Sequence, residues 1–451
     1  MHSFANAPSL IQPSLLSRMN ERQVLRAIQS HGPMSRAEVA RFAGISAPTA
    51  SKAVESLLRG GWLEEGEAPE LGRGRPARKL RLPSSSAQVL GLVIDADQCR
   101  VVSAGLDGAL CGEGHLFPTP ATYAELLDRA EAHALRLIGQ TGVRSVGMGI
   151  SMPGLIDCLQ QNGILSPNVP ITNGHAPAAD LSARLGIDAV LVQEAHALCL
   201  AERYYGCARG PDNFAMLDAT TGVGLGVMSG GQLLTGNRGL AGEVGHITVV
   251  GDGRQCGCGN RGCLETVACD AAVAAALSRR LARRVTVQEI VESLANRFGG
   301  RERPPGGTVP DAAGARRDAD AAPEAAVLDG DAVTSATDSM VEYVAIGVAA
   351  VINLFNPSTL FVHSRILQAA EPLFARVVDA AGRRALAPSF ADCRIVLARG
   401  SKRQGAVAAI IEHLLSGLVP VQMRDNHYLG GAAPSTSAVN APVERNAVVA
   451  R

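Results

Sequence analysis

The sequence predicts an α/β protein carrying a separate winged helix-turn-helix module at its N-terminal end, and three observations carry that prediction. Short helix-patterned segments, separated by serine caps and a glycine turn, fill the stretch from Pro13 to Leu82. The same stretch holds twelve Lys/Arg against seven Glu and no Asp, a local charge of +5 that leaves the rest of a chain with 42 basic and 42 acidic residues at about −5. From Val89 onward, apolar strand-like runs alternate with helix-like runs, the pattern of an α/β domain. At 451 residues the chain has room for two or three cores.

Asn20 to Ser30 places Val24, Leu25 and Ile28 at helical spacing and stops before His31-Gly32-Pro33. Ser35-Arg36-Ala37-Glu38 is a capping box, in which hydroxyl and carboxylate satisfy the first free amides of a helix reaching about Ala43. Gly44 makes the turn. Ser46 caps a third helix whose first turn tolerates Pro48, with Val54, Leu57 and Leu58 facing the core. In such an arrangement the later helix enters the major groove, which makes Ser46, Thr49, Ser51 and Lys52, with Ala47 and Ala50, the groove end. Leu71 to Arg81 then has five basic residues from Arg73 to Arg81, the composition of a wing, and Arg73-Gly74-Arg75-Pro76 resembles an arm for a narrow minor groove. The expected partner of 13–82 is a double-stranded DNA operator; a three-helix docking domain with a solvated basic loop is the alternative.

Val89–Ile94 and Arg100–Ala104 read as a strand pair, Ser145–Ser151 as a further strand leading into Pro153-Gly154. Strand then helix follow at Ala189–Val192 and Ala195–Tyr205, and strands at Phe214–Asp218 and Val223–Met228. Val341–Phe355, Ile366–Ala385 and Gln404–Leu415 read as helices. The first, interrupted by Glu342 and Asn353, is too short to span a bilayer and reads as buried.

His246, Cys256, Cys258 and Cys263 place one imidazole and three thiols within eighteen residues, a tetrahedral zinc set with no position left for water and hence a structural Zn²⁺. Glycines at 257, 259 and 262 let the backbone turn between them. Reduced cysteines in a glycine-rich loop are the alternative. The other cysteines, 99, 111, 158, 199, 207, 269 and 393, are scattered and suggest no disulfide framework; with no secretory pattern at Met1–Leu16, a cytoplasmic, DNA-associated location is expected. A composition 47% apolar and 19% charged fits a globular chain without a membrane role.

Glu243-x-x-His246 followed by Cys-x-Cys-Gly-x-x-Gly-Cys-Leu-Glu, ending at Glu265, resembles the signature of the ROK family of bacterial sugar kinases and sugar-responsive repressors. The resemblance runs from about Val89 to about Gly417. It implies a two-lobed actin-like (ribonuclease H-like) ATPase fold over 89–417 that closes on a sugar. The helix-turn-helix ahead of it resembles the repressor branch, and implies a sugar or sugar-phosphate effector and a homodimer or homotetramer. Carried over residue by residue, Asn168 of Pro167-Asn168, Glu243, His246 and Glu265 match sugar-contacting positions, and Glu194 of Gln193-Glu194 stands where kinases carry the aspartate base. Asn168 as a turn residue and Glu243 as a surface carboxylate are the plainer readings.

Three departures argue against phosphoryl transfer and leave no catalytic residue assigned. Asp95-Ala96-Asp97-Gln98-Cys99 lacks the glycines that wrap a phosphate, and Asp97 repels one. Glu194 lengthens the base position by a methylene, and a displacement of about 1 Å costs roughly a hundredfold in rate. His363-Ser364 puts bulk where the family has Gly-Gly. Thr221-Gly222-Val223-Gly224-Leu225-Gly226 keeps a phosphate-type turn, so an active sugar kinase with an attached DNA-binding domain is the alternative function. The aperiodic run at about 299–331 and the stretch 428–451 read as a disordered insertion and tail.

Overall fold

The structure is a computed structural model and describes residues 13–66, 78–84, 86–208, 211–298, 328 and 330–417. Helix α1 (Pro13–His31) starts earlier than the sequence suggests, and is followed by α2 (Arg36–Ala43) and α3 (Ala47–Arg59). The capping box forms: Ser35 N–H donates to Glu38 Oε2 at 2.8 Å, and Glu38 N–H to Ser35 Oγ at 3.4 Å. Gly44 ends α2 at φ +67°, a left-handed turn open to glycine. Leu25, Val39, Val54 and Leu57 fill the three-helix core. Strands β1 (Glu64–Gly66) and β2 (Lys79–Arg81) pair antiparallel as the base of the wing. Arg73 and Arg75 lie outside the described residues.

The first lobe is a five-stranded sheet. Strands β3 (Ala87–Ile94), β4 (Gln98–Gly105) and β5 (His115–Pro118) pair antiparallel; helix α4 (Tyr123–Thr141) crosses to β6 (Arg144–Met152), parallel to β3. A small hairpin, β7 (Leu155–Asp157) with β8 (Asn162–Leu165), and helix α5 (Pro177–Leu185) precede β9 (Asp188–Gln193), parallel to β6. All eight residues of β3 are buried, so alternation is absent and Val89–Ile94 reads as a continuous apolar run.

Helix α6 (Glu194–Tyr204) leads to the second lobe, where β10 (Phe214–Asp218), β11 (Gly224–Ser229) and β12 (Gln232–Leu233) pair antiparallel. Helices α7 (Asp270–Arg280), α8 (Val287–Phe298) and α9 (Gly330–Phe355) precede β13 (Thr359–His363), which pairs parallel with β10. Then come α10 (Arg365–Ala369), α11 (Glu371–Gly382), α12 (Ala387–Ala391), β14 (Arg394–Leu397), parallel to β13, and α13 (Lys402–Gly417). The orders β5-β4-β3-β6-β9 and β12-β11-β10-β13-β14 repeat one topology with the same senses of pairing. The two sheets are duplicate lobes.

Helix α13 packs on β3 and β6, α6 packs on β10 and β11, and the two helices pack together between the sheets. Small residues permit this: a Cβ on Gly149 of β6 would lie 1.9 Å from the Ala406 carbonyl oxygen, and one on Gly405 would lie 2.9 Å from the Ala197 carbonyl carbon.

Two expectations are corrected. The helix expected over 366–385 is broken into α10 and α11 because Pro372 has no N–H to continue the ladder and Ala370 takes a non-helical conformation. Helix α9 begins at Gly330, so the last two residues of the expected insertion are helical; 299–327 and 329 lie outside the described residues, as does 428–451. By length and composition α9 is apolar enough to cross a membrane, against the shorter helix expected, yet Val341, Val344, Val348 and Ile352 bury it at the centre of the second lobe.

Candidate functional site

The metal set assembles. The ligand atoms of His246, Cys256, Cys258 and Cys263 all lie within 4.8 Å of one another. Cys258 Sγ and Cys263 Sγ are 3.7 Å apart, and Cys256 Sγ is 3.6 Å from His246 Nδ1. A tetrahedron with Zn–S bonds of about 2.3 Å has edges of about 3.7 Å, so the donor set fits the ion. Backbone bonds hold the loop, among them Cys256 N–H to the Asn260 carbonyl at 2.8 Å and Gly262 N–H to the Arg254 carbonyl at 2.9 Å. Gly262 sits at φ +69°, where a Cβ would collide with the Val250 carbonyl at 1.7 Å. Gly257 acts differently from the expected turn: its φ is not left-handed, and its missing side chain makes room for Pro167, 2.6 Å from where a Cβ would be.

That contact draws the Pro167-Asn168 corner against the metal loop, with Asn168 exposed beside it. Glu243 and Glu265 flank the imidazole: His246 Nε2 is 3.5 Å from Glu243 Oε2, and His246 Nδ1 is 3.7 Å from Glu265 Oε1. Cys256 Sγ lies 2.8 Å from Glu265 Oε1. Burial pushes the Glu243 carboxyl above the usual range, opposed by His246. Glu265 also approaches the phosphate-type turn, 2.9 Å from where a Cβ on Gly222 would lie, and Thr221 Oγ1 makes a long 3.5 Å contact with Asp95 Oδ1 across the lobes.

Glu194 lies in a second, adjoining cluster. It starts α6, capped by Gln193, whose Oε1 accepts from His196 N–H at 3.2 Å. It is 7% exposed and ion-paired with Lys402, whose Nζ also donates to Asp95 Oδ2 at 2.6 Å. Burial lifts the Glu194 carboxyl to about 7, with Lys402 pulling against it. Burial alone would lower the Lys402 ammonium, but Glu194 and Asp95 overcome it and keep it charged. On the second lobe His363 Nδ1 is 2.9 Å from Asp218 Oδ1, which also accepts from Thr220 Oγ1 at 2.9 Å. Burial opposes both charges of that pair; their mutual attraction prevails, raising His363 and lowering Asp218. Ser364 Oγ donates to Asp270 Oδ1 at 2.6 Å while capping α10. His363 and Ser364 are thus engaged in buried polar networks at the end of β13.

Sequence reasoning missed Lys402, Asp218 and Asp270. A signal existed for the first: a lysine opening an apolar helix faces the positive end of the helix dipole and needs a carboxylate in compensation.

In the N-terminal module Ser46 Oγ accepts from Thr49 N–H at 3.4 Å and lies 2.8 Å from Thr49 Oγ1, so both hydroxyls are tied into the cap. Ser51 and Lys52 are exposed on α3. Ala50, expected at the groove end, is 1% exposed and belongs to the core, one residue off the outer face.

The ROK family model matches residues 90–412, and the MarR family model matches 16–74. The DNA-binding transcriptional dual regulator NagC of Escherichia coli (strain K12) is 24% identical over 91% of this chain and 97% of its own. The glucokinase of Thermotoga maritima is 32% identical over 65% of this chain and 89% of its own. A solved ROK family transcriptional regulator, described as a homologue of the E. coli MLC protein, superposes with a TM-score of 0.71 at 22% identity, over 90% of this chain and 98% of that one.

Proposed function

Because the chain belongs to the ROK family and carries a helix-turn-helix ahead of its ROK region, we propose that it is a sugar-responsive transcriptional regulator that represses carbohydrate-utilisation genes. One observation carries the reading: the regulator relative aligns over nine-tenths of this chain, DNA-binding module included, whereas the glucokinase aligns over about two-thirds. Ser51 and Lys52 of α3, the cap residues Ser46 and Thr49, and Arg73 and Arg75 of the wing contact operator DNA. Asn168, Glu243, His246 and Glu265 contact the sugar hydroxyls, with Glu194 at the inner end of the cleft. The carboxylates there favour an unphosphorylated sugar, since a phosphoryl group brings about two further negative charges. A structural Zn²⁺ held by His246, Cys256, Cys258 and Cys263 fixes the loop that presents Glu243 and Glu265.

The sugar is bound but not phosphorylated. Lys402 engages Glu194 and Asp95 together, so the carboxylate at the base position is ion-paired and the glycine-less Asp95–Cys99 turn offers no phosphate cradle. Sugar binding instead changes the closure of the lobes and thereby the setting of two DNA-binding modules in a dimer, and the protein works in the cytoplasm. The second reading, an active kinase, draws on the carboxylate retained at Glu194; sugar-dependent ADP release abolished by Glu194→Gln would establish it. Selection from a random duplex library by the full-length protein tests the first: enrichment of a two-fold-symmetric site supports a dimeric reader, and no enrichment overturns DNA recognition.

A further inference from the structure

The apolar core of the N-terminal module does not end at the module. Leu25, Ile28, Leu63 and Leu82 share one continuous buried cluster with Val407, Ile410, Ile411 and Leu415 of α13. Glu412 of the same helix lies 3.4 Å from Arg26 Nη2 of α1 and accepts a hydrogen bond from Tyr204 Oη at the end of α6. The opposite end of α13 is Lys402, seated between Asp95 of the first lobe and Glu194 at the start of α6. Backbone just ahead of Lys402 is held by a buried carboxylate: Glu202 Oε1 accepts from Arg399 N–H at 2.6 Å and Gly400 N–H at 2.5 Å. Sixteen residues at about 1.5 Å each make α13 a rod of roughly 24 Å from cleft to module.

We propose that α13, locked to α6, is the mechanical link that transmits the state of the interlobe cleft to the DNA-binding module, with Lys402 as its cleft-side anchor and Glu412 as its module-side anchor. The chain of contact is unbroken. Helix α6 rests on the second lobe's β10 and β11 and α13 on the first lobe's β3 and β6, so a change in lobe closure acts on their shared face. At the module end the joint is stiff where Leu25 and Ile411 are buried, yet it keeps an apolar recess lined by Trp62, Leu106 and Leu414, space into which the helix end can shift. The ionic anchors tie one end of the helix to the cleft and the other to the module.

Hydrogen exchange on the full-length protein tests this without sugar or DNA, so its outcome is independent of the regulator reading. The cleft variant is Lys402→Met with Glu194→Gln, which removes the pair while keeping the charge balanced. Exchange in α1 at Val24–Ile28 and in α13 at Ile410–Leu415 is expected to rise about tenfold, while α4, on the other face of the first-lobe sheet, stays at its wild-type rate. In a Glu412→Gln background the cleft variant is expected to leave α1 unmoved, because the module-side anchor is already released. Exchange that rises only near residue 402, rises equally in α1 and α4, or adds independently of Glu412→Gln overturns the link. Lys402→Arg, which keeps the charge, is expected to retain wild-type exchange in α1; a tenfold rise there would also overturn it.

Discussion

Replacing Cys258 by serine removes one thiolate from the metal set, and the consequence can be worked from the loop. Ordering the eighteen residues from His246 to Cys263 costs roughly 1 kcal/mol or more per residue in backbone entropy, so about 18 kcal/mol. Seven backbone hydrogen bonds tie the loop, from Val249, Val250, Gly253, Cys256, Gly259, Gly262 and Leu264, and at about 1 kcal/mol each they return about 7 kcal/mol. A structural zinc contributes roughly 10 to 16 kcal/mol, which closes the remaining gap. Without the ion the loop therefore opens, and Val244 and Leu264 at its ends lose much of their burial, a loss of about 3 to 5 kcal/mol to the second lobe. That lowers the melting temperature by about 6 to 20 °C. Elemental analysis is expected to fall from one zinc per chain to none, with accelerated amide exchange confined to the loop. A variant that keeps its zinc, or loses it with loop protection and melting temperature unchanged, refutes the reasoning.

Lys52→Ala is expected to weaken DNA binding for all sequences alike and to lower the slope of log affinity against log salt by about one, read from titrations at several salt concentrations. Ser46→Ala removes the α3 cap and should cost about 1 kcal/mol in the module's stability, read by denaturant melts. His363 has its folded-state pKa raised above 6.5 by Asp218, so the stability it contributes is fully present below about pH 6.5 and is lost as pH rises through the folded value. Melts from pH 6 to 9 should show that decline in the wild type and lose it in His363→Asn; parallel curves would remove the pair from the account. Glu243→Gln should weaken sugar binding at least tenfold in calorimetric titrations while leaving zinc content unchanged, and equal affinity would take Glu243 out of the site.

Much of this fold could be read from local chemistry. The capping box at Ser35-Glu38, the Gly44 turn and the Ser46 cap act over three or four residues, and stretches such as Val89–Ile94 of β3 are buried on both faces and so appear as unbroken apolar runs. The metal set was legible for the same reason, since its four ligands share one short loop. What depended on distant partners was not. Lys402 stands 208 positions from Glu194 and 307 from Asp95, so its place at the start of an apolar helix hints at a carboxylate partner, but the local sequence does not say which. Ala50 differs from its neighbours only in which side of α3 it occupies. The early start of α9 was hidden because Gly330–Asp338 is rich in small and polar residues, and its helicity comes from packing rather than pattern.

The central claim is that one chain couples a sugar cleft to operator DNA. Fluorescence anisotropy of the full-length protein on labelled duplexes spanning the DNA upstream of its own gene and its neighbours, titrated with glucose, xylose, N-acetylglucosamine and their phosphates, tests it most directly. Specific binding weakened about tenfold or more by one unphosphorylated sugar, with no ADP formed when ATP is added, is the predicted result. Binding indifferent to every sugar, or sugar-dependent ADP release without DNA binding, would contradict it.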